Sequence, residues 1–104
     1  MIKSISVILP LFNEEKRLKK AFRKIVNFSK KKKIYLIEFI FVNDGSSDKS
    51  EEMIKKFIKV NNKFKKRKFS YFKLQKNSGK GAALKLGVRK ATGEWILTSD
   101  IDFS

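Results

Sequence analysis

Asp100 and Asp102 stand one residue apart behind the apolar run Trp95-Ile96-Leu97, in the string Ser99-Asp100-Ile101-Asp102. In an extended segment, positions i and i+2 share a face, so both carboxylates would point into one cleft. Two hard oxygen ligands that close suit a divalent cation that also contacts a diphosphate. The other reading of such a string is an acidic surface loop.

Three more polar clusters follow strand-like apolar runs in the same way: Asn13-Glu14-Glu15, Asn43-Asp44-Gly45-Ser46-Ser47-Asp48 and Asn77-Ser78-Gly79-Lys80-Gly81. Asp44 could accept hydrogen bonds from a nucleobase imide or a ribose hydroxyl, and Gly45 lets backbone approach a ligand. The same cluster also reads as a turn in which Ser47 or Asp48 caps the next helix. Gly79 and Gly81 leave backbone N–H groups accessible at a helix start and Lys80 adds charge, which suits an anion. A helix start packed tightly by small residues is the competing reading. The spacing matches neither a Walker loop nor a GxGxxG turn, so neither a P-loop nucleotidase nor a dinucleotide enzyme is indicated.

Elements of alternating type must position these clusters. Ser4 to Leu11 reads as a buried strand, and Glu14 to about Ser29 as a helix with Leu18, Ala21, Phe22, Ile25 and Val26 at helical spacing and Asn13 as its N-cap. Ile34 to Val42 is near-continuously apolar, as expected of a central strand covered on both faces. A helix follows to about Val60, with Ile54, Phe57 and Ile58 inward. Next come a weaker strand from Phe69 to Leu74, in which Phe72 and Leu74 break strict alternation, a helix from Gly79 to Ala91 and a strand from Trp95 to Thr98. The order β-α-β-α-β-α-β predicts an α/β fold, a Rossmann-like parallel sheet with helices on both faces. All four polar clusters then fall on the edge where strands end, which is where such sheets bind ligands. The basic runs Lys30 to Lys33 and Lys65 to Lys68 each precede a strand and fall on the opposite edge.

Composition narrows the chemistry. The 104 residues, 41% hydrophobic, suit one domain spanning 1–104. The chain has no cysteine and no histidine, so thiolate and imidazole metal sites are excluded and any metal must be held by oxygen. The longest apolar segment, Ile34 to Val42, is interrupted by Glu38, far short of the roughly 18 to 20 residues of a membrane span. No secretory signal is recognisable, which leaves the cytoplasm as the expected compartment. The net charge of +16 reads either as solvated lysine-rich faces or as a surface for nucleic acid, anionic lipid or a phosphorylated substrate. Most of the ten phenylalanines sit at core spacing rather than on a base-stacking platform.

Taken together, Leu9-Pro10-Leu11-Phe12-Asn13-Glu14-Glu15, Val42 through Asp48, Asn77 through Gly81 and Ser99-Asp100-Ile101-Asp102 resemble the successive signatures of the family 2 inverting glycosyltransferases, over essentially the whole chain. Asn13-Glu14-Glu15-Lys16-Arg17-Leu18 and Lys76 through Gly81 are most similar to the branch of dolichyl-phosphate glucosyltransferases and dolichol-phosphate mannose synthases. The resemblance implies the N-terminal, nucleotide-sugar-binding half of a GT-A fold, truncated after the Asp-X-Asp motif. It places Pro10, Phe12 and Glu14 in the nucleotide pocket, with Phe12 where the family often has tyrosine, and makes Asp44 the base- or ribose-contacting residue. Ser46, Asn77 and Lys80 join them as substrate-binding residues. Asp100 and Asp102 become the metal and ribose pair, with Asp102 foremost for the metal and for catalysis. The implied cofactor is Mg²⁺ or Mn²⁺ and the implied donor a UDP- or GDP-sugar. A lipid-phosphate or glycan acceptor would be bound by the remaining half, with peripheral association at the cytoplasmic face of a membrane and no nucleic acid.

Asn43 departs from the usual Asp-Asp-Gly-Ser, which puts base preference in question. The rival expectations are a small basic protein that holds RNA or anionic membrane, and a catalytically inactive truncated glycosyltransferase. Salt separates the first rival, because phosphate-backbone binding weakens steeply with ionic strength.

Overall fold

The computed structural model describes residues 2–31 and 33–101. Seven elements alternate along the chain: β1 (Ile2–Leu11), α1 (Glu15–Ser29), β2 (Ile34–Asn43), α2 (Ser50–Asn61), β3 (Arg67–Lys73), α3 (Lys80–Lys90) and β4 (Trp95–Thr98). The four strands form one sheet in the order β3-β2-β1-β4, and every pairing is parallel. The expected α/β architecture is therefore present, with every element in its expected place and boundaries shifted by at most three residues.

The side-chain period of two divides the sheet residues between two cores. Ile5, Val7, Leu9, Ile37, Phe39 and Phe41 pack under α1 and α2 with Leu18, Ile25, Ile54 and Phe57. Ile8, Ile40 and Val42 face α3, where Ala83 is buried and Phe72 and Leu74 close the margin. This explains the broken alternation in β3: Phe69 and Tyr71 serve one core, while Phe72 and Leu74 serve the other. Aromatic stacking knits the larger core, with Phe22 on Phe57 at 4.2 Å and Phe39 on Phe69 at 5.2 Å between ring centroids. Large side chains buried this way typically lose about 3–5 kcal/mol when cut to alanine.

The two basic runs meet at the sheet edge where strands begin, since Arg67 donates to the Lys31 carbonyl at 2.9 Å. Arg67 is not a solvated member of its run. Its guanidinium donates to the carbonyls of Ser29, Lys31, Ile34, Tyr35 and Lys66, so it ties the end of α1 to the starts of β2 and β3. Nearby, Glu38 accepts from Ser6, from the Thr92 hydroxyl and from the Thr92 backbone, which fixes the turn that feeds β4.

Candidate functional site

At the opposite edge, the four strand ends are stitched together before any side chain is considered. Asp44 N–H donates to the Leu11 carbonyl at 2.8 Å, Leu74 N–H to Asn43 at 2.9 Å and Ser99 N–H to Ile8 at 3.0 Å. The chain reverses its direction of growth here, since β1 is followed in space by β2 on one side and by β4 on the other. Open α/β sheets bind ligands at such a switch point.

The first two polar clusters bond to each other. Asn13 adopts φ 51°, and its side-chain oxygen accepts the Ser47 and Asp48 N–H groups at 2.8 and 3.3 Å. Asn13 is therefore not the N-cap of α1; that position belongs to Glu14, which makes no side-chain cap. Asp48 serves both helix starts instead, accepting Glu15 N–H at 3.1 Å and Ser50 N–H at 2.9 Å. Burial pushes the Asp48 carboxyl up, but the hydrogen bonds from Ser50 and Glu15 outweigh it and hold the group below its ordinary value. Asn43 is fully buried, accepting Ser46 N–H at 2.9 Å and donating to the Tyr71 hydroxyl at 3.0 Å. Burial raises the Tyr71 phenol above its usual range, so it stays protonated.

Asp44 joins the second cluster to the third. Its carboxylate accepts Ser78 N–H at 2.7 Å, Gly79 N–H at 2.9 Å and the Asn77 amide at 3.0 Å. Of the helix-start donors that looked suited to an external anion, Gly79 N–H is thus already taken by Asp44. Gly45 makes this approach possible: at φ 72° a side-chain carbon there would lie 2.5 Å from the Asn77 nitrogen.

The result is a cleft of about 430 Å³ onto which the loops after all four strands open. Pro10, Phe12 and Glu14 line it from the β1 side, and Asp44, Asn77, Lys80 and Asp100 from the others. Phe12 is 44% exposed, a large aromatic face free to pack against a planar group. Lys80 Nζ lies 2.7 Å from Asp100 Oδ1.

Ser46 is not part of this lining; its hydroxyl accepts Asn13 N–H at 2.9 Å. Arg17 and Ile101 line the cleft without having been anticipated. Arg17 was legible in principle, because it stands three residues after Glu14 on the same helix face, and the two pair at 3.5 Å. Ile101 is buried in the larger core and anchors the backbone beside Asp100.

β4 stops at Thr98 and Ile101 lies in a turn, so the extended-strand argument for a shared carboxylate face does not hold here. Asp102 itself lies outside the described residues. Among the described residues no three potential His, Cys, Asp or Glu ligands gather; of the carboxylates lining the cleft, Asp44 is engaged by the Asn77 to Gly79 loop, Glu14 pairs with Arg17 and Asp100 with Lys80. No helix among them is long and apolar enough to cross a membrane.

Comparison with known proteins gives a consistent result. The profile of Glycosyl transferase family 2 matches residues 6–104. Dolichyl-phosphate beta-glucosyltransferase of Mus musculus is 35% identical over 96% of this chain and 31% of its own length. Poly-beta-1,6-N-acetyl-D-glucosamine synthase of Staphylococcus aureus (strain COL) is 33% identical over 97% of this chain and 22% of its own. The chain thus spans less than a third of the curated relatives it matches. Among solved structures, S. aureus TarS 1-349 in complex with UDP superposes with a TM-score of 0.76 at 26% identity, covering 95% of this chain and 27% of that one. The mannosyltransferase PcManGT from Pyrobaculum calidifontis, solved with GDP-Man and Mn²⁺, has a TM-score of 0.79 at 22% identity over 94% of this chain and 27% of that one, a likeness of fold.

Proposed function

The chain belongs to glycosyl transferase family 2, and from that premise we propose that it is the nucleotide-sugar-binding part of an enzyme that moves a hexose from UDP or GDP to an acceptor with inversion. A polyprenyl phosphate is the acceptor this reading favours, supported by the likeness to dolichyl-phosphate beta-glucosyltransferases. The UDP and UDP-GlcNAc complexes of TarS support a nucleotide-sugar donor.

The observation that carries the reading is the cleft at the switch point, where an exposed aromatic, a hydrogen-bonded carboxylate and a lysine beside Asp100 converge. In this reading Pro10 and Phe12 form the wall for the nucleoside. Asp44 holds the Asn77 to Gly79 loop in place and keeps its edge beside the base or ribose. Lys80 supplies positive charge to the diphosphate, and Glu14 sits at the rim with Arg17. Asp100 and Asp102 would hold Mg²⁺ or Mn²⁺, which when bound neutralises the departing diphosphate. The anomeric carbon would be attacked in line by an acceptor oxygen. A lipid phosphate is already anionic near neutral pH, so its attack needs no general base, in keeping with a chain that has no histidine.

Titration calorimetry with UDP and GDP tests this reading. Binding is expected with Mg²⁺ or Mn²⁺ present, to be lost with EDTA, and to weaken about tenfold in Phe12→Ala, the loss of one stacking face. Affinity indifferent to both EDTA and Phe12→Ala would contradict it.

A further inference from the structure

Away from the cleft, α1 turns a cationic face to solvent. Lys16, Arg17, Lys19, Lys20, Arg23 and Lys24 are all exposed, and Glu15, half-buried, is the helix's one acid. Among the described residues Lys16, Lys19, Lys20 and Arg23 have no ion pair. Lys55, Lys56 and Lys59 carry the same charge along α2, where Glu52 is exposed at the helix start and Glu51 is taken up by Lys55 and Lys73. Within this field lies a groove of about 300 Å³ between the two helices, lined by Phe22, Val26 and Phe57 with Arg23 and Asn27 beside them. An apolar slot among cations matches an amphiphile with an anionic head: methylenes for the phenyl rings, phosphate for the guanidinium.

We propose that the α1–α2 flank is a docking face for an anionic lipid bilayer, with the basic residues of α1 on the headgroups and the Phe22–Val26–Phe57 groove taking a segment of acyl chain. Position singles out this face. Arg17, in the first turn of α1, lines the cleft, and the rest of the 15-residue helix runs about 22 Å along the flank. A bilayer against that flank keeps the cleft beside the headgroups, where a lipid-phosphate acceptor lies. The other basic region, Lys63, Lys65, Lys66 and Lys68 around the exposed Phe64, sits at the strand-start edge. The seven residues of β3 hold it about 23 Å from the strand ends, so docking there would turn the cleft away from the lipid. The choice of face rests on the lipid-phosphate reading above.

Two charge-matched variants separate this face from net charge alone. Co-sedimentation should show the wild-type chain on mixed phosphatidylglycerol–phosphatidylcholine vesicles, not on phosphatidylcholine alone, with binding that weakens as salt rises. Replacing Lys16, Lys19, Lys20 and Arg23 with glutamine should lower partitioning by at least about a hundredfold, since each basic residue near the surface is worth about fivefold. Replacing Lys63, Lys65, Lys66 and Lys68 with glutamine should lower it by less than about fivefold, because those charges lie beyond a Debye length of about 8 Å from the docked lipid. In bicelles of the same lipids with a doxyl-labelled chain, the amides of Phe22, Arg23, Val26 and Asn27 should broaden ahead of those of Lys63 to Lys68. Equal losses in the two variants would reduce the effect to net charge, and a larger loss in the second would move docking to the Phe64 edge; either overturns the proposal. Binding to poly(U) that depends on the α1 residues and is tighter than binding to vesicles also overturns it, in favour of nucleic acid. Vesicle binding is read without nucleotide, so its failure sinks the docking alone, whereas failure of the wild-type chain to bind UDP or GDP in calorimetry sinks the function reading.

Discussion

Asp44 shows how a motif residue's place can be legible in sequence while its partners are not. Its place after the most apolar strand was legible, as was its place at the edge where the strands end. Its three donors from Asn77, Ser78 and Gly79 were not, because they lie more than thirty residues away and each cluster had been read alone. Asp44→Ala leaves two backbone N–H groups without their acceptor, so it should cost about 1–3 kcal/mol and weaken nucleotide binding through the displaced loop. A melting curve unchanged from wild type would refute that role. Asn43, the neighbour of Asp44, has a structural role of its own. Buried and bonded to Ser46 and Tyr71, it shapes the turn and is not among the residues lining the cleft.

Asp48 carries a pH signature. Its pKa is depressed in the folded chain, so its contribution is complete above the unfolded value of about 3.9 and is lost as pH falls through the lower folded value. Thermal melts between about pH 2 and 6 should show the acid-side loss reduced in Asp48→Asn. An identical acid limb in the variant would mean the two helix starts do not depend on this carboxylate.

At the scale of elements all seven were legible, most from a buried apolar face, α3 from its small residues and β4 from a short apolar run that stays exposed. What the pattern concealed was the division of labour. Phe72 and Leu74 looked irregular only under the assumption of one covered face, whereas β3 feeds two cores. Arg67 was hidden inside a basic run, since composition does not distinguish a solvated lysine from a guanidinium that satisfies carbonyls from three segments. Arg67→Ala should destabilise the chain by roughly 2–3 kcal/mol, and Arg67→Lys should recover only part of that, because an ammonium lacks the planar fork. Equal stability of wild type and Arg67→Ala in urea unfolding would show the knot to be dispensable. Replacing the exposed Lys30, Lys31 and Lys33 with glutamine should leave both stability and nucleotide affinity nearly unchanged, because charges beyond a Debye length of about 8 Å are screened.

For the molecule as a whole, the order of elements was readable and the order of strands was not. Alternation of strand and helix fixes a parallel sheet, but whether β4 joins at β3 or at β1 depends on which apolar faces match in three dimensions. Its position beside β1 creates the reversal, and the reversal creates the cleft. The account's central claim is that this edge, and not the basic edge opposite, receives nucleotide. Amide chemical-shift mapping of the chain titrated with Mg²⁺ and UDP or GDP at physiological salt tests it most directly. The account predicts shifts at Leu11 to Arg17, at Asp44 and Gly45, at Asn77 to Lys80 and at Asp100 and Ile101, with Lys63 to Lys68 unmoved. Shifts centred on Lys63 to Lys68 and fading as salt rises would contradict it.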